Sequence, residues 1–205
     1  MMENRRAEII HSIKDGAILF AITLIAGLLL GFFYEITKEP IARQQEIAVQ
    51  KACAAVFKEA SFEEVSYAMS AELSQKLVDR GVTIGTVFGA IDAQGQQAGY
   101  VIETTSANGY GGNIVLYVGI TSDKTVSGVS ILSIAETPGL GMKAEDVLVP
   151  QFENKVASTF TYSKTGAIAA NEIDAISGAT ITTEAVVDAV NGAVDVADEL
   201  LKGGN

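Results

Sequence analysis

The stretch VTIGTVFGAID, Val82 to Asp92, opens a run of four β-rich segments that determines the fold of this 205-residue chain. Three similar segments follow, AGYVIETTS, NIVLYVGIT and VSGVSILSI, and the last of them ends at Ile134. Gly, Asn, Asp and Ser separate these runs, as they do in the turns between antiparallel strands. The sequence therefore predicts an antiparallel meander, with irregular loops next to its strands.

Helical patterns lie on both sides of this meander. Residues 182–201 carry Val and Ala at helical spacing with acidic residues away from much of that stripe, which predicts a helix packed on the sheet. A short helix is expected over 70–79, ended by Gly81. A second short helix is expected over 145–149 and a strand over 159–162. The expected fold class is α+β, an antiparallel β-sheet packed with helices.

A continuous apolar run, GAILFAITLIAGLLLGFFY, occupies residues 16–34. At about 1.5 Å per residue, a helix of this length spans roughly the 30 Å hydrocarbon core of a bilayer. A cleaved signal peptide is the main alternative, but the run ends in Phe-Phe-Tyr and the charged EITKEP rather than in a small-residue cleavage site. The sequence predicts one transmembrane helix in contact with lipid, in an inner or plasma membrane.

The sequence around this span suggests a domain organisation. Three basic residues precede the span and two follow it closely, a slim excess that favours residues 1–15 as a short cytoplasmic segment. After the transmembrane helix over 16–34, residues 35–60 are expected to form a helical stalk, with Pro40 in its first turn. Residues 61–205 are then expected to form an extracytoplasmic domain.

Composition excludes several classes of function. The chain has 14 Lys and Arg against 25 Asp and Glu, and the excess of negative charge lies after the span, which argues against nucleic acid as a partner. Cys53 is the only cysteine, so no internal disulfide, Cys-ligated zinc site or iron–sulfur cluster can form. His11, the only histidine, precedes the span and leaves the domain without a Ser-His or Cys-His pair. We expect no metal site and no catalytic residue.

Two glycine-containing loops adjoin the predicted strands. The first is ANGYGG, residues 107–112, where the ring of Tyr110 either lies on a cofactor or covers the core. The second is ETPGLGMK, residues 136–143, where Gly139 and Gly141 permit positive φ or close approach of the backbone to a flat ligand. Each is also consistent with a plain turn, but loops that face one ligand are what an extended planar cofactor requires.

A third loop, DAISGATITT, occupies residues 174–183 just before the last predicted helix. Its hydroxyl groups are consistent with a helix N-cap, which is common. As hydrolase nucleophiles, Ser177 and Thr180 lack a His base. The remaining interpretation is a phosphate site at a helix N-terminus.

The three loops together resemble a known family. GYGGNI (109–114), ETPGLG (136–141) and DAISGATIT (174–182) are similar to the FMN-binding domain found in the G subunit of Rnf electron-transport complexes. The same domain occurs in the C subunit of sodium-translocating NADH:quinone reductase. The resemblance covers nearly the whole chain, including the N-terminal anchor, and DAISGAT fits the family's flavinylation pattern, Asp-x-x-Ser/Thr-Gly-Ala-Ser/Thr.

This resemblance implies a covalent flavin. The hydroxyl of Thr180 would be esterified to the phosphate of FMN by a separate flavin transferase. Asp174, Ser177, Gly178 and Ala179 would form the recognition sequence of that enzyme, with Asp174 assisting at its metal site.

The other two loops would then surround the flavin ring. The backbone of the second loop and the side chain of Thr137 would face the ring edge, and Leu140 would form an apolar wall. Lys143 either places positive charge near the reduced flavin or is a solvated surface lysine. The cofactor-binding residues implied in these loops are Tyr110, Gly111, Glu136, Thr137, Gly139, Leu140 and Gly141.

The function implied is that of a membrane-anchored electron carrier in an Rnf complex, a redox component that is not a complete enzyme alone. By resemblance, that complex couples ferredoxin oxidation and NAD reduction to export of Na⁺ or H⁺, and its other membrane subunits are the partners. The C subunit of the quinone reductase is the close alternative, although its relatives usually have a longer chain. A tethered, cofactor-free binding or scaffold domain is the alternative from another class.

Overall fold

A computed structural model describes the backbone of residues 2–203 and the side chains of residues 14–203. The chain divides into two compact units, Met1–Ile47 and Ala48–Asn205. The described part of the first unit is entirely helical and belongs to helix α1, Met2–Val56.

Helix α1 continues through Pro40, where the sequence predicted the start of a separate stalk helix. No helix begins at Pro40, although the stalk residues are helical as far as Val56. A proline inside a helix lacks an N–H and crowds the carbonyl four residues earlier. Here Pro40 and Ile36, the residue four positions earlier, are both exposed.

Among the described helices, α1 is the one long and apolar enough to span a membrane by length and composition. The large apolar side chains between Ile18 and Tyr34 are all exposed. A helix that is apolar all round and not packed against protein needs an apolar surrounding. This agrees with the predicted span.

The second unit is built on a five-stranded antiparallel sheet. Its strands lie in chain order: β1 Ser61–Glu64, β2 Val82–Ile91, β3 Gln97–Ser106, β4 Ile114–Thr121 and β5 Val126–Ser133. Each strand pairs with the next, which confirms the predicted meander.

Helices cover both faces of this sheet. On one face the final helix α5, Thr180–Gly203, packs on the middle strands, and it is slightly longer than the predicted 182–201. On the other face the end of α1 packs on Tyr117 and Val101. Successive side chains of β4 point to opposite faces of the sheet. Leu116 and Val118 therefore pack on the α5 side, while Tyr117 points to the side covered by α1.

Short elements complete the fold. Helix α2, Ala71–Asp79, begins as predicted, and the hydroxyl of Ser70 accepts a bond from its first turn. A 3₁₀ turn, Gly141–Lys143, leads into two helical turns, α3 Ala144–Val147 and α4 Val149–Phe152, in place of the single predicted helix. The division falls before Pro150, which favours a new first turn. A small parallel pair joins β6 Thr161–Ser163 to β7 Glu172–Asp174.

Candidate functional site

The three loops singled out in the sequence converge on one cavity at the N-terminus of α5. Its volume is about 560 Å³, within the range of small-molecule and cofactor pockets. Its lining residues come from all three loops and from the first turn of the helix: Tyr110, Glu136, Thr137, Leu140, Gly141, Gly178, Ala179, Thr180, Ile181 and Thr182.

A tight turn presents Thr180 to this cavity. Gly178 has a φ of +78°, which favours glycine, and the N–H of Ala179 donates to the carbonyl of Ile176 at 3.0 Å. The buried hydroxyl of Thr183 fixes the same turn, since it accepts from the N–H of Ile176 at 3.1 Å and donates to the carbonyl of Ala179 at 3.0 Å. Thr183 thus fixes the turn before the helix, and Thr180 lies on the cavity.

The first turn of α5 offers backbone donors. The first helical bond runs from the N–H of Thr183 to the carbonyl of Ala179, at 3.0 Å. The N–H groups of Thr180, Ile181 and Thr182 precede that bond, at the positive end of a 24-residue helix. Free N–H groups and a positive helix end together favour an anion such as phosphate.

A buried carboxylate links the three loops. Glu136, only 6% exposed, accepts a bond from the N–H of Gly111 on Oε1 at 3.0 Å. Its Oε2 accepts from the hydroxyl of Thr182 at 2.9 Å. The second loop is therefore joined to the first loop and to the start of α5 through one side chain.

Glycines surround this carboxylate. A Cβ added at Gly109 would lie 2.8 Å from Oε1 of Glu136. One added at Gly141 would lie 2.7 Å from the Cβ of Glu136 and 2.5 Å from the Thr182 hydroxyl oxygen. The sequence suggested that Gly141 allows a flat ligand to approach. The structure shows that the missing side chain of Gly141 leaves room for Glu136 and Thr182 to approach each other. Gly139, at φ +79°, allows the loop backbone to turn.

Exposed apolar side chains form part of the cavity wall. Leu140, Ile181 and Tyr110 all line it, with exposed fractions of 41%, 51% and 71%. Such side chains suit the faces of a planar aromatic ring. Lys143 is exposed and lies outside the set of lining residues.

Other residues singled out by the sequence lie beside the cavity rather than in its wall. Asp174 is exposed at the end of β7, where its Oδ1 accepts from the N–H of Ala167 at 2.6 Å. Its backbone N–H donates to the side chain of Gln151 at 2.7 Å. Ser177 is exposed next to the cavity turn. Side chains 14–203 contain no group of three His, Cys, Asp or Glu placed to hold a metal ion.

The structure also adds site residues that the sequence did not single out. Ile181 and Thr182 line the cavity, and Thr183 holds its turn. Three threonines within the four residues 180–183 do not reveal which hydroxyl faces which neighbour. The helical period assigns each threonine to a face of α5 only once the first residue of that helix is known.

Two family models match the chain. The model of the FMN-binding domain matches residues 109–195, which include the three loops, and the model of the RnfG N-terminal region matches residues 2–56.

Relatives of known name match nearly the whole chain. The G subunit of the Na⁺-translocating ferredoxin:NAD⁺ oxidoreductase complex of Acetobacterium woodii is 30% identical over 200 residues, covering 92% of this chain and 93% of that protein. The G subunit of the proton-translocating ferredoxin:NAD⁺ oxidoreductase complex of Clostridium ljungdahlii is 34% identical, covering 89% and 93%. Among solved structures, NqrC of Shewanella oneidensis matches with a TM-score of 0.47 and 24% identity, covering 57% of this chain and 60% of that one.

Proposed function

The chain belongs to the family of G subunits of Rnf-type ion-translocating oxidoreductase complexes, and from this premise we propose that it carries FMN as a phosphoester on Thr180. The relatives named above are G subunits, which favours the Rnf complex over the quinone-reductase component that the sequence left open. One observation carries the proposal: Thr180 is the first residue of α5 and lies in the wall of the cavity.

The first turn of α5 fits the phosphate of FMN. A phosphate bonded to the Thr180 oxygen would lie next to the N–H groups of Thr180, Ile181 and Thr182, which precede the helical ladder. The exposed Gly178 adds no side chain on the approach to this hydroxyl. The attachment point and the anion-binding groups are therefore supplied by the same turn.

The cavity wall fits the ring. When bound, FMN supplies hydride and one-electron transfer, and the protein supplies orientation and electrostatics. Leu140, Ile181 and Tyr110 offer apolar surface to a flat ring, and Thr137 offers a hydroxyl from the second loop. Gly111, Gly139 and Gly141 would shape the backbone of the two loops.

Attachment is a transfer of the flavin phosphate to one oxygen. The Thr180 hydroxyl loses its proton and its oxygen would form a bond to the flavin phosphorus, while the bond from that phosphorus to the leaving group of the flavin donor breaks and the leaving group departs. The net gain of the protein is the mass of one FMN less one water. A flavin transferase would supply the activated flavin donor. Asp174 and Ser177 are exposed beside the turn, where a second protein has access to them.

The N-terminal helix gives this carrier its location. The apolar part of α1 would lie in the lipid of the membrane and hold the FMN domain at its extracytoplasmic face. There it would pass electrons between other subunits of the Rnf complex. The relatives are named for ferredoxin:NAD⁺ oxidoreductases that translocate Na⁺ or protons, which suggests the same overall reaction for the complex of this chain.

Intact mass tests the covalent flavin. The full-length chain would be produced with a flavin transferase and purified in detergent as wild type, Thr180→Ala and Thr165→Ala, the last an exposed threonine outside the motif. We expect one FMN less water on the wild type and on Thr165→Ala, and no adduct on Thr180→Ala. An unmodified wild type, with a transferase active on a control protein, would contradict the proposal and favour a cofactor-free tethered domain.

A further inference from the structure

Glu136 is the buried charged side chain at the centre of the candidate FMN site. Of the described residues that line the cavity, it is the one with an ionisable acid or base side chain other than the phenol of Tyr110. Burying a carboxylate is costly unless donors compensate its charge. The structure provides two, the N–H of Gly111 and the hydroxyl of Thr182, together with the positive N-terminal end of α5.

The surrounding backbone is shaped to admit this side chain. Side chains at Gly109 and Gly141 would collide with Glu136, and one at Gly111 would collide with the carbonyl of Ala135. The side chain of Glu136 thus limits the space at Gly109 and Gly141, whereas the backbone of Ala135 limits the space at Gly111. A group held in this way from three elements keeps a fixed place in the cavity wall.

We propose that Glu136 is a positioning residue that holds the three loops of the FMN site together and lowers the reduction potential of the flavin through its fixed negative charge. This rests on the proposed function. Reduction adds electrons to the flavin, and a nearby negative charge opposes added negative charge more strongly in a low-dielectric site than in water. The two hydrogen bonds to Glu136 partly offset its negative charge. Loss of a hydrogen bond should therefore lower the reduction potential of the flavin, whereas loss of the charge should raise it.

Two variants separate charge from hydrogen bonding. Glu136→Gln keeps the shape of the side chain and an acceptor for the N–H of Gly111 but removes the charge. Thr182→Val keeps the charge and removes one donor to it. Glu145→Gln, at an exposed position in α3, is the matched control for removing a carboxylate.

The potential of the attached flavin is measured by spectroelectrochemical titration of the full-length protein, with FMN loading checked by mass. We expect Glu136→Gln to shift the potential to a more positive value, Thr182→Val to shift it to a more negative value, and Glu145→Gln to leave it unchanged. A merely structural role would loosen the site in both variants and move both potentials in one direction. Shifts of the same sign, or none beyond the control, would overturn the electrostatic part of the proposal.

Hydrogen exchange tests the positioning part without flavin. In the Thr180→Ala background, Glu136→Ala should speed exchange of the loops 109–112 and 136–143 by about tenfold or more, whereas Glu145→Ala should not. Unchanged exchange would overturn the positioning role. If the wild type carries no FMN, the proposed function fails, and this second measurement still decides whether Glu136 joins the loops.

Discussion

Gly141 lies so close to Thr182 that a methyl group on its Cα would come to 2.5 Å from the Thr182 hydroxyl oxygen. That hydroxyl is held at 2.9 Å from Glu136 and cannot move away without losing its bond. We expect Gly141→Ala to reduce FMN attachment and to cost about 1–3 kcal/mol of stability, as overpacking does. Flavin fluorescence in a denaturing gel, per amount of folded protein, measures the attachment.

Gly128→Ala is the control for crowding alone. Its added Cβ would lie 3.0 Å from the Cα of Val56, on the face of the sheet that packs against the end of α1. This variant should lose stability and keep its FMN. Full attachment in Gly141→Ala would show that the contact with Thr182 does not shape the site.

Asn191 secures the backbone of Phe160 from the buried side of α5. Its Oδ1 accepts from the N–H of Phe160 at 2.7 Å and its Nδ2 donates to the carbonyl at 3.0 Å, and Asn191 is 6% exposed. Asn191→Leu would leave both backbone groups unpaired, and each buried unpaired group costs about 1–3 kcal/mol. We expect a loss of about 2–5 kcal/mol in the free energy of unfolding, measured by urea denaturation. Gln75→Ala, which removes an exposed bond to Asp79, should change it by less than about 0.5 kcal/mol.

The strands and the final helix were predictable because their patterns are long and regular. β-rich runs separated by Gly, Asn, Asp and Ser identified the meander, and helical spacing identified α5. The pair of Glu136 and Thr182 was not predictable, since 46 residues separate them and only the packing of α5 on the sheet brings them together. Strand β7 has three residues, too few to show any period. The cavity loops were found by their unusual residues, but the contacts between those loops needed the structure.

Asp188, half-buried on α5, weakens the folded state at neutral pH. Burial raises the pKa of its carboxyl, and this outweighs the opposing charge of Arg80. A carboxyl with a raised folded pKa contributes stability below its unfolded pKa and loses that contribution as the pH rises through the folded value. We therefore expect Asp188→Asn to raise Tm at pH 7 and to leave it nearly unchanged near pH 3. An equal effect at both pH values would contradict this, and Asp146→Asn, at an exposed site, is the control.

Labelling with a membrane-impermeant maleimide tests the orientation proposed for the FMN domain. The native Cys53 is 1% exposed and should not react in the folded protein. Lys164→Cys, at an exposed position of the domain, should be labelled in intact spheroplasts. Lys14→Cys, which precedes the span, should be labelled only after the membrane is opened. The reverse pattern would place the domain in the cytoplasm.

The hydroxyl of Thr183 should matter for flavin attachment although it does not line the cavity. It joins the N–H of Ile176 to the carbonyl of Ala179 and so fixes the turn on which Thr180 stands. Thr183→Val has nearly the same shape but leaves that buried N–H unpaired, at a cost of about 1–3 kcal/mol. Thr183→Ser keeps the hydroxyl. We expect flavin attachment, followed by intact mass over time with limiting transferase, to be slower in Thr183→Val and restored in Thr183→Ser. If both variants are modified at the wild-type rate, the transferase does not depend on this turn. The fixed position of Thr180 would then matter for holding the bound flavin rather than for its attachment.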